Sequence, residues 1–404
     1  MARGVSSRRA ALTMACTVSM RTMQIVLLFI VVASFSFMGR TMYHFTSTGS
    51  RGPTCTPREN VMFLKTHKTA SSTMLNILYR YGDARNLTFA LPLYDHLGYP
   101  KRFKAEFVRA FVQHRHHEYH IMCNHMRFHL PEVKRVMPNG SFYFSIIRNP
   151  IQLAESAFAY FHAMSPAFSL ARSLEEFVSD TARFYRSGPN NHYARNLMWF
   201  DFGGDHEAGA GDVEAALRGL DAAFDLVLVA EYFDQSLVLL HEALCWRLED
   251  VAYFRLNLRH GASVVPLGPG AAAKIRAWNG LDWELYRHFN ATFWRLVAAY
   301  GATRMERDVA RLRELCRGLA ATCLRGGAAG QPVDARLIAE PGLKPKRAGK
   351  ANILGYALRE GLSGPEWELC RRMVMPEKFY LQLLQRKQSL SPGAGSPPRT
   401  PSQR

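Results

Sequence analysis

Three groups of side chains in this chain are of types that handle anions and protons. The first is the run Lys65-Thr66-His67-Lys68-Thr69-Ala70-Ser71-Ser72-Thr73, which packs two ammonium groups, an imidazole and a series of hydroxyls into one short stretch. A helix opening at Ser71, Ser72 and Thr73 presents unpaired backbone N–H groups to whatever lies ahead of it, and such an end binds anions. With Lys65, His67 and Lys68 in the turn before it, the expected ligand is a phosphate or sulfate ester. The second group is Arg148 and Ser156. An arginine at a strand end and a serine on the next helix can converge on one phosphate, the guanidinium fork giving two charge-assisted bonds. The third is His125, which follows Asn124 at the end of a short apolar stretch. Histidine titrates near neutrality and suits proton transfer, so His125 is the first candidate for a base, with His67 as its rival.

The spacing also argues against other chemistries. A magnesium-nucleotide loop is built as G-x-x-x-x-G-K-[ST], with glycines that let the backbone wrap the phosphates. The run at 65–73 has no glycine, so it lacks the flexible backbone that such a loop needs to wrap the phosphates. A kinase-like or other nucleotide-using transferase is therefore the weaker reading. His114, His116, His117, His120 and His129 crowd around His125, yet no H-E-x-x-H or C-x-x-C spacing occurs, so no metal is assigned and the histidines read as a solvated basic face.

Positioning these groups requires strands that end beside them. Val61-Met62-Phe63-Leu64 is an apolar run suited to a buried strand, and Met74, Leu75 and Leu78 then fall on one helical face. Ser141 to Arg148 reads as a second buried strand ending at Arg148, after which Asn149 can cap and Pro150 open a helix. Phe224 to Glu231 is a third strand, followed by an amphipathic helix over 233–247. Helices are also predicted over 101–117, 174–185, 274–300 and 311–316, with irregular chain at 325–350. Strands alternating with helices give an α/β fold around a central, mainly parallel sheet flanked by helices.

Of 404 residues 48% are hydrophobic, enough for a large core, and 51 Lys plus Arg against 33 acidic residues leave a net charge of +18. That balance suits an anionic cofactor, a polyanion or a membrane surface. Residues 22–39 carry no charge and as a helix would span about 27 Å, the thickness of a hydrocarbon core. Arg3, Arg8, Arg9 and Arg21 precede this span and predict a cytosolic N-terminus. The expected order is a cytosolic tail (1–21), an uncleaved transmembrane signal anchor (22–39), a stem (40–59), a lumenal domain (60–385) and a disordered basic Ser/Pro-rich tail (386–404). Sequons at Asn86, Asn139 and Asn290 all fall on the lumenal side. So do Cys55, Cys123, Cys245, Cys316, Cys323 and Cys370, which an oxidising lumen allows to pair. Cys316 and Cys323 are spaced either for a local loop or to stay as thiols.

The loop at 65–73 resembles the 5′-phosphosulfate loop of Golgi sulfotransferases that use PAPS (3′-phosphoadenosine 5′-phosphosulfate), and it is most similar to that of the galactose-3-O-sulfotransferases. Arg148 and Ser156 match the family's 3′-phosphate pair. Asn190 to Gly203, ending in Trp199-Phe200-Asp201-Phe202-Gly203, resembles a family segment, as do Ala351 to Tyr356 and Met373 to Glu377. The resemblance runs from Asn60 to about Gln385. It implies a P-loop-like sulfotransferase fold and transfer of a sulfuryl group from PAPS to the 3-hydroxyl of a β-linked terminal galactose on a glycoprotein or glycolipid, without an obligatory metal. In it Lys65, Thr66, Lys68, Thr69, Ala70, Ser71, Ser72, Thr73, Arg148 and Ser156 hold the donor. Lys68, with Lys65, steadies the leaving group, and His125 or His67 takes the proton. Asn124, Asn196, Trp199 and Asp201 meet the sugar. The implied setting is the Golgi membrane, single-pass with the catalytic domain lumenal. The implied partners are galactose-terminated glycans and not nucleic acid, and oligomeric state is left open. The competing reading is a membrane-tethered polyanion binder without catalysis.

Overall fold

The computed structural model describes residues 55–111, 119–209, 211, 213–259, 261, 264, 266–345 and 352–390. The predicted anchor at 22–39, the histidines at 114, 116 and 117, and residues 391–404 lie outside them. Among the described residues no helix is long and apolar enough to cross a membrane.

The centre is a four-stranded parallel sheet in the order β2 (Ile121–Met122), β1 (Val61–Leu64), β3 (Phe142–Ile147), β4 (Leu226–Val229). Every residue of these strands is buried, which is why they read as continuous apolar runs and not as alternating ones. β1 and β3 are paired from Val61↔Phe142 to Leu64↔Ser145, so their carboxyl ends lie side by side. From β1 the chain crosses to β2 on one side, and from β3 to β4 on the other. The strand order therefore reverses between β1 and β3, the place where open α/β sheets bind ligands. Helix α1 (Ser71–Ala84) follows β1 and helix α2 (Pro150–Phe161) follows β3, with Pro150 at its first position and Asn149 Oδ1 accepting from the Ile151 N–H at 3.0 Å.

Further along, α3 (Leu197–Asp201) precedes β4, and α4 (Phe233–Leu244) follows it, ending at Cys245 in a left-handed conformation. β5 (Leu258–Arg259) belongs to a small antiparallel sheet with β6 (Val333–Asp334) and β7 (Ile353–Gly355) in the order β5-β7-β6. Between them run two long helices, α5 (Gly280–Tyr300) and α6 (Ala302–Cys323). The chain closes with α7 (Gly364–Val374) and α8 (Glu377–Leu390).

Several expectations need correction. The helix predicted over 101–117 is, in its described part, a single 3₁₀ turn at Ala105–Phe107, because Pro92 and Arg102 pair in β-bridges with Val108 and Arg127. The helix predicted over 174–185 is two, Leu174–Ser179 and Thr181–Phe184, separated by Asp180, whose carboxylate caps the second. Asn279 likewise divides 269–278 from α5. Cys316 does not pair with Cys323: the disulfides are Cys55–Cys245 and Cys323–Cys370, and Cys123 and Cys316 are thiols. The first disulfide, with the Arg58 N–H donating to Leu244 O at 2.9 Å, brings residues 55–59 onto the folded body, ahead of the predicted start at 60. At the other end α8 runs past 385, and Gln388 brackets the backbone of Phe89 with two hydrogen bonds.

Candidate active site

The loop after β1 makes a sharp curl without glycine. Lys68 and Ala70 both take left-handed conformations, φ 60° and 62°, which cost L-residues about 1–2 kcal/mol each and are retained where the surroundings fix them. The fixing groups are the loop's own hydroxyls. Thr66 Oγ1 donates to Ile146 O on β3 (2.5 Å), Ser71 Oγ to Thr66 O (2.5 Å), and Thr69 Oγ1 lies 2.7 Å from Thr66 Oγ1. Thr73 Oγ1 accepts from the Leu256 N–H at 2.9 Å. These hydroxyls build the cradle, while the helix opening leaves the N–H groups of Ser71 and Ser72 without intrahelical acceptors. Ser72 Oγ donates to Glu377 Oε2 at 3.3 Å, and the same carboxylate oxygen lies 3.1 Å from Lys65 Nζ.

Two histidines face each other across this loop, their rings stacked with centroids 4.0 Å apart. His125 Nδ1 lies 2.9 Å from Lys65 O, a carbonyl that can only accept, so the proton is on Nδ1. Its Nε2 then accepts from Lys65 Nζ at 2.6 Å. Burial first, then its neighbours His67 and Lys65, push its pKa well below the usual value and leave it neutral. Both nitrogens of His125 are thus engaged. His67 is different: Nδ1 lies 2.9 and 3.0 Å from the two carboxylate oxygens of Asp201, and the His67 backbone N–H donates to Asp201 Oδ2 at 2.8 Å. The carboxylate places the proton on Nδ1, so Nε2 carries a lone pair, which no group among the described residues claims. Tyr99, Phe161 and Tyr193 surround the ring at 4.7 to 5.7 Å.

On the other side of the loop the charge is positive. Lys68 sits over the face of Tyr160, 3.7 Å from the ring centroid. Its pKa is lowered to about 7 by burial first, then by Arg148, Arg259 and Lys65, with Glu155 opposing. Arg148 Nη1 donates to Lys68 O at 2.9 Å, tying the end of β3 to the loop. Arg259 Nη2 donates to both oxygens of Glu155, at 2.7 and 2.5 Å, while its buried Nη1 has no partner among the described residues. Glu155 directly precedes Ser156 on α2, which is half-buried. The sequence reading brought Arg148, Lys68 and Ser156 together but missed Arg259, Glu155, Glu377 and Tyr160. Glu155, as the neighbour of Ser156, and Glu377, at the end of the segment 373–377, carried a sequence signal; Arg259 and Tyr160 did not.

The residues assigned to the sugar are largely interior. Asp201 is fully buried, its carboxylate committed to His67. Asn196 receives the Leu281 N–H at 3.2 Å and donates to His206 O at 2.8 Å. Asp282 of α5 accepts from the Trp199 N–H at 2.8 Å, capping α3 and aiming Asp201 back at the loop; burial raises its pKa to about 7. Trp199 is packed under Gly204, where a Cβ would fall 2.1 Å from its Nε1. Asn124 is buried, with Nδ2 donating to Tyr79 Oη at 2.8 Å and Oδ1 unpartnered. Among the described residues no group of His, Cys, Asp and Glu is arranged to hold a metal ion.

This chain resembles known proteins over nearly its whole length. The family model described as Galactose-3-O-sulfotransferase matches residues 3–388. The chain is 44% identical over 370 residues to "Galactose-3-O-sulfotransferase 2" of Mus musculus, covering 89% of this chain and 93% of the relative. It is 48% identical over 335 residues to the Homo sapiens protein of the same description, covering 81% and 83%. It is 43% identical over 343 residues to "Galactosylceramide sulfotransferase" of Homo sapiens, covering 83% and 80%. A glycine-free anion loop on a parallel sheet and this similarity point the same way: the chain belongs to the galactose-3-O-sulfotransferase family and is an enzyme of that family.

Proposed function

We propose that the enzyme takes its sulfuryl group from PAPS and places it on the 3-hydroxyl of a terminal β-linked galactose, with His67 as the base and Asp201 as its orienting partner. The observation that carries this reading is the setting of His67, one nitrogen fixed by a buried carboxylate and the other unclaimed, on a loop whose far side is strongly cationic. The polyanionic donor fits that side. Lys68 is buried beside two arginines and Lys65, which holds its pKa near 7, and Arg259 Nη1 is a buried donor without an acceptor. A molecule carrying a 5′-phosphosulfate and a 3′-phosphate would relieve both.

The donor supplies an activated sulfuryl group. Lys68, Lys65 and the N–H groups of Ser71 and Ser72 hold the 5′ end, and Lys68 supports charge on the departing oxygen. Thr66, Thr69, Ala70 and Thr73 shape the cradle. Arg148, Ser156 and Arg259 hold the 3′-phosphate. His67 Nε2 receives the proton of the acceptor hydroxyl, and Asp201 stabilises the imidazolium that forms. His125 keeps Lys65 in place through its Nε2. Asn124, Asn196 and Trp199 act on the sugar indirectly, by fixing the walls of the site.

The cellular setting we infer is the Golgi membrane, reached through an anchor at 22–39 with the catalytic body lumenal. The acceptor is narrowed to galactose termini, since the relatives include both a galactose-3-O-sulfotransferase 2 and a galactosylceramide sulfotransferase. The test is transfer of labelled sulfate from PAPS by the detergent-solubilised full chain to galactosylceramide, N-acetyllactosamine and core O-glycan acceptors, with Lys68→Ala alongside. Product should disappear with Lys68→Ala and when galactose is 3-O-methylated. No transfer, together with no thermal shift by PAP (the desulfated donor), would favour the polyanion binder instead.

A further inference from the structure

Glu377 is a carboxylate where the reading above places an anionic ligand. One oxygen, Oε2, meets both Lys65 Nζ (3.1 Å) and Ser72 Oγ (3.3 Å), groups from the end of β1 and the first turn of α1 that serve the 5′ end of the donor. Lys65 itself is almost fully buried, with its side chain 3% exposed against 27% for Glu377. A buried ammonium needs a counter-charge, and Glu377 supplies it. Its seat does not depend on that contact. Tyr380 donates to Asp83 of α1 at 3.2 Å and Lys387 pairs with the same carboxylate, while Asn76 of α1 holds the carbonyl of Arg372 on the preceding helix α7 at 2.9 Å. α8 is therefore docked on α1 by groups other than the Glu377 side chain.

We propose that Glu377 is a displaceable internal anion of the donor site: it neutralises Lys65 and accepts from the Ser72 hydroxyl before the phosphosulfate arrives, yields both to it, and reclaims them as the desulfated product leaves. This rests on the reading that the loop at 65–73 holds the 5′ end of PAPS. The role sets donor affinity and product release. Glu377 exchanges no proton with the acceptor.

The test is calorimetric titration of the full-length enzyme with PAP, for wild type, Glu377→Gln and Glu377→Ala, together with steady-state kinetics. Removing one competing charge should tighten PAP binding about tenfold in both variants, and lower the KM for PAPS by a larger factor than it lowers kcat. Glu377→Gln keeps the size of the side chain, and its melting temperature without ligand reports whether the fold is kept. PAP binding unchanged or weakened in a folded variant overturns the proposal. So does a fall in kcat alone, which would make Glu377 part of the proton-transfer machinery. Absence of PAP binding in wild type would overturn the donor reading itself, and the two failures are thereby told apart.

Discussion

Lys68 makes a quantitative test of the donor site. Its pKa of about 7 reflects burial and the adjacent cations Arg148, Arg259 and Lys65. A bound polyanion supplies the missing counter-charge and raises the pKa of Lys68 back toward its ordinary value near 10.5. The bound state then holds a proton that the free enzyme has partly lost, so binding takes up protons above pH 7 and affinity falls as pH rises. At pH 7 roughly half of the free enzyme carries charged Lys68, and at pH 9 about one part in a hundred, so PAP affinity should drop about 50-fold over that range, or about 2.3 kcal/mol. Phosphate esters lose their last proton near pH 6, and the arginines stay charged. His125 and His192 have lowered pKa values and are already neutral. The assay is calorimetry in buffers of different ionisation enthalpy, with uptake of about 0.5 proton at pH 7 and about 0.9 at pH 8. Lys68→Arg keeps a permanent charge and should flatten the profile. Equal slopes in wild type and Lys68→Arg, or a flat wild-type profile, would refute the argument.

Three further outcomes follow from the same geometry. Asp201→Asn should lower kcat by on the order of 10²–10⁴ while leaving PAP affinity within about threefold, because the imidazole loses its orienting acceptor and not its place; an equal loss of PAP binding would mean that Asp201 is holding the loop alone. Asn86 and Asn139 are exposed in turns, whereas Asn290 is half-buried within α5 with its Oδ1 inaccessible. Expression in secretory cells with glycosidase mass mapping should find Asn86→Gln and Asn139→Gln each short of one glycan, and Asn290→Gln unchanged. Replacing Cys323 and Cys370 by serine releases a crosslink across 47 residues, which the chain-entropy estimate puts at about 4 kcal/mol, read as a lower denaturation midpoint.

The sheet was legible because β1, β3 and β4 are buried on both faces and so appear as uninterrupted apolar stretches. The loop at 65–73 was legible because cations and hydroxyls crowded after a strand have few structural uses. The cap at Asn149 and Pro150 followed from local backbone chemistry alone. What could not be read are pairings set by three-dimensional folding: His67 finds Asp201 134 positions away, and Cys55 finds Cys245 190 away. The proposed order of the two histidines, His67 ahead of His125, rests on which nitrogen each leaves unclaimed among the described residues, which Lys65 and Asp201 set and spacing does not.

The bond between Cys55 and Cys245 has a mechanical meaning. β1 is an interior strand, held on both sides by parallel neighbours, and the chain enters it just six residues after Cys55. A pull on the chain ahead of residue 55 would, without the crosslink, shear β1 lengthwise out of the sheet and drag the anion loop with it. With the crosslink, the load passes covalently to the end of α4, and the hydrogen bonds of Arg58 to Leu244 and Trp246 keep the slack segment seated. The loop at 65–73 is thereby isolated from tension arriving along its own strand, as a cable clamp spares the terminal behind it.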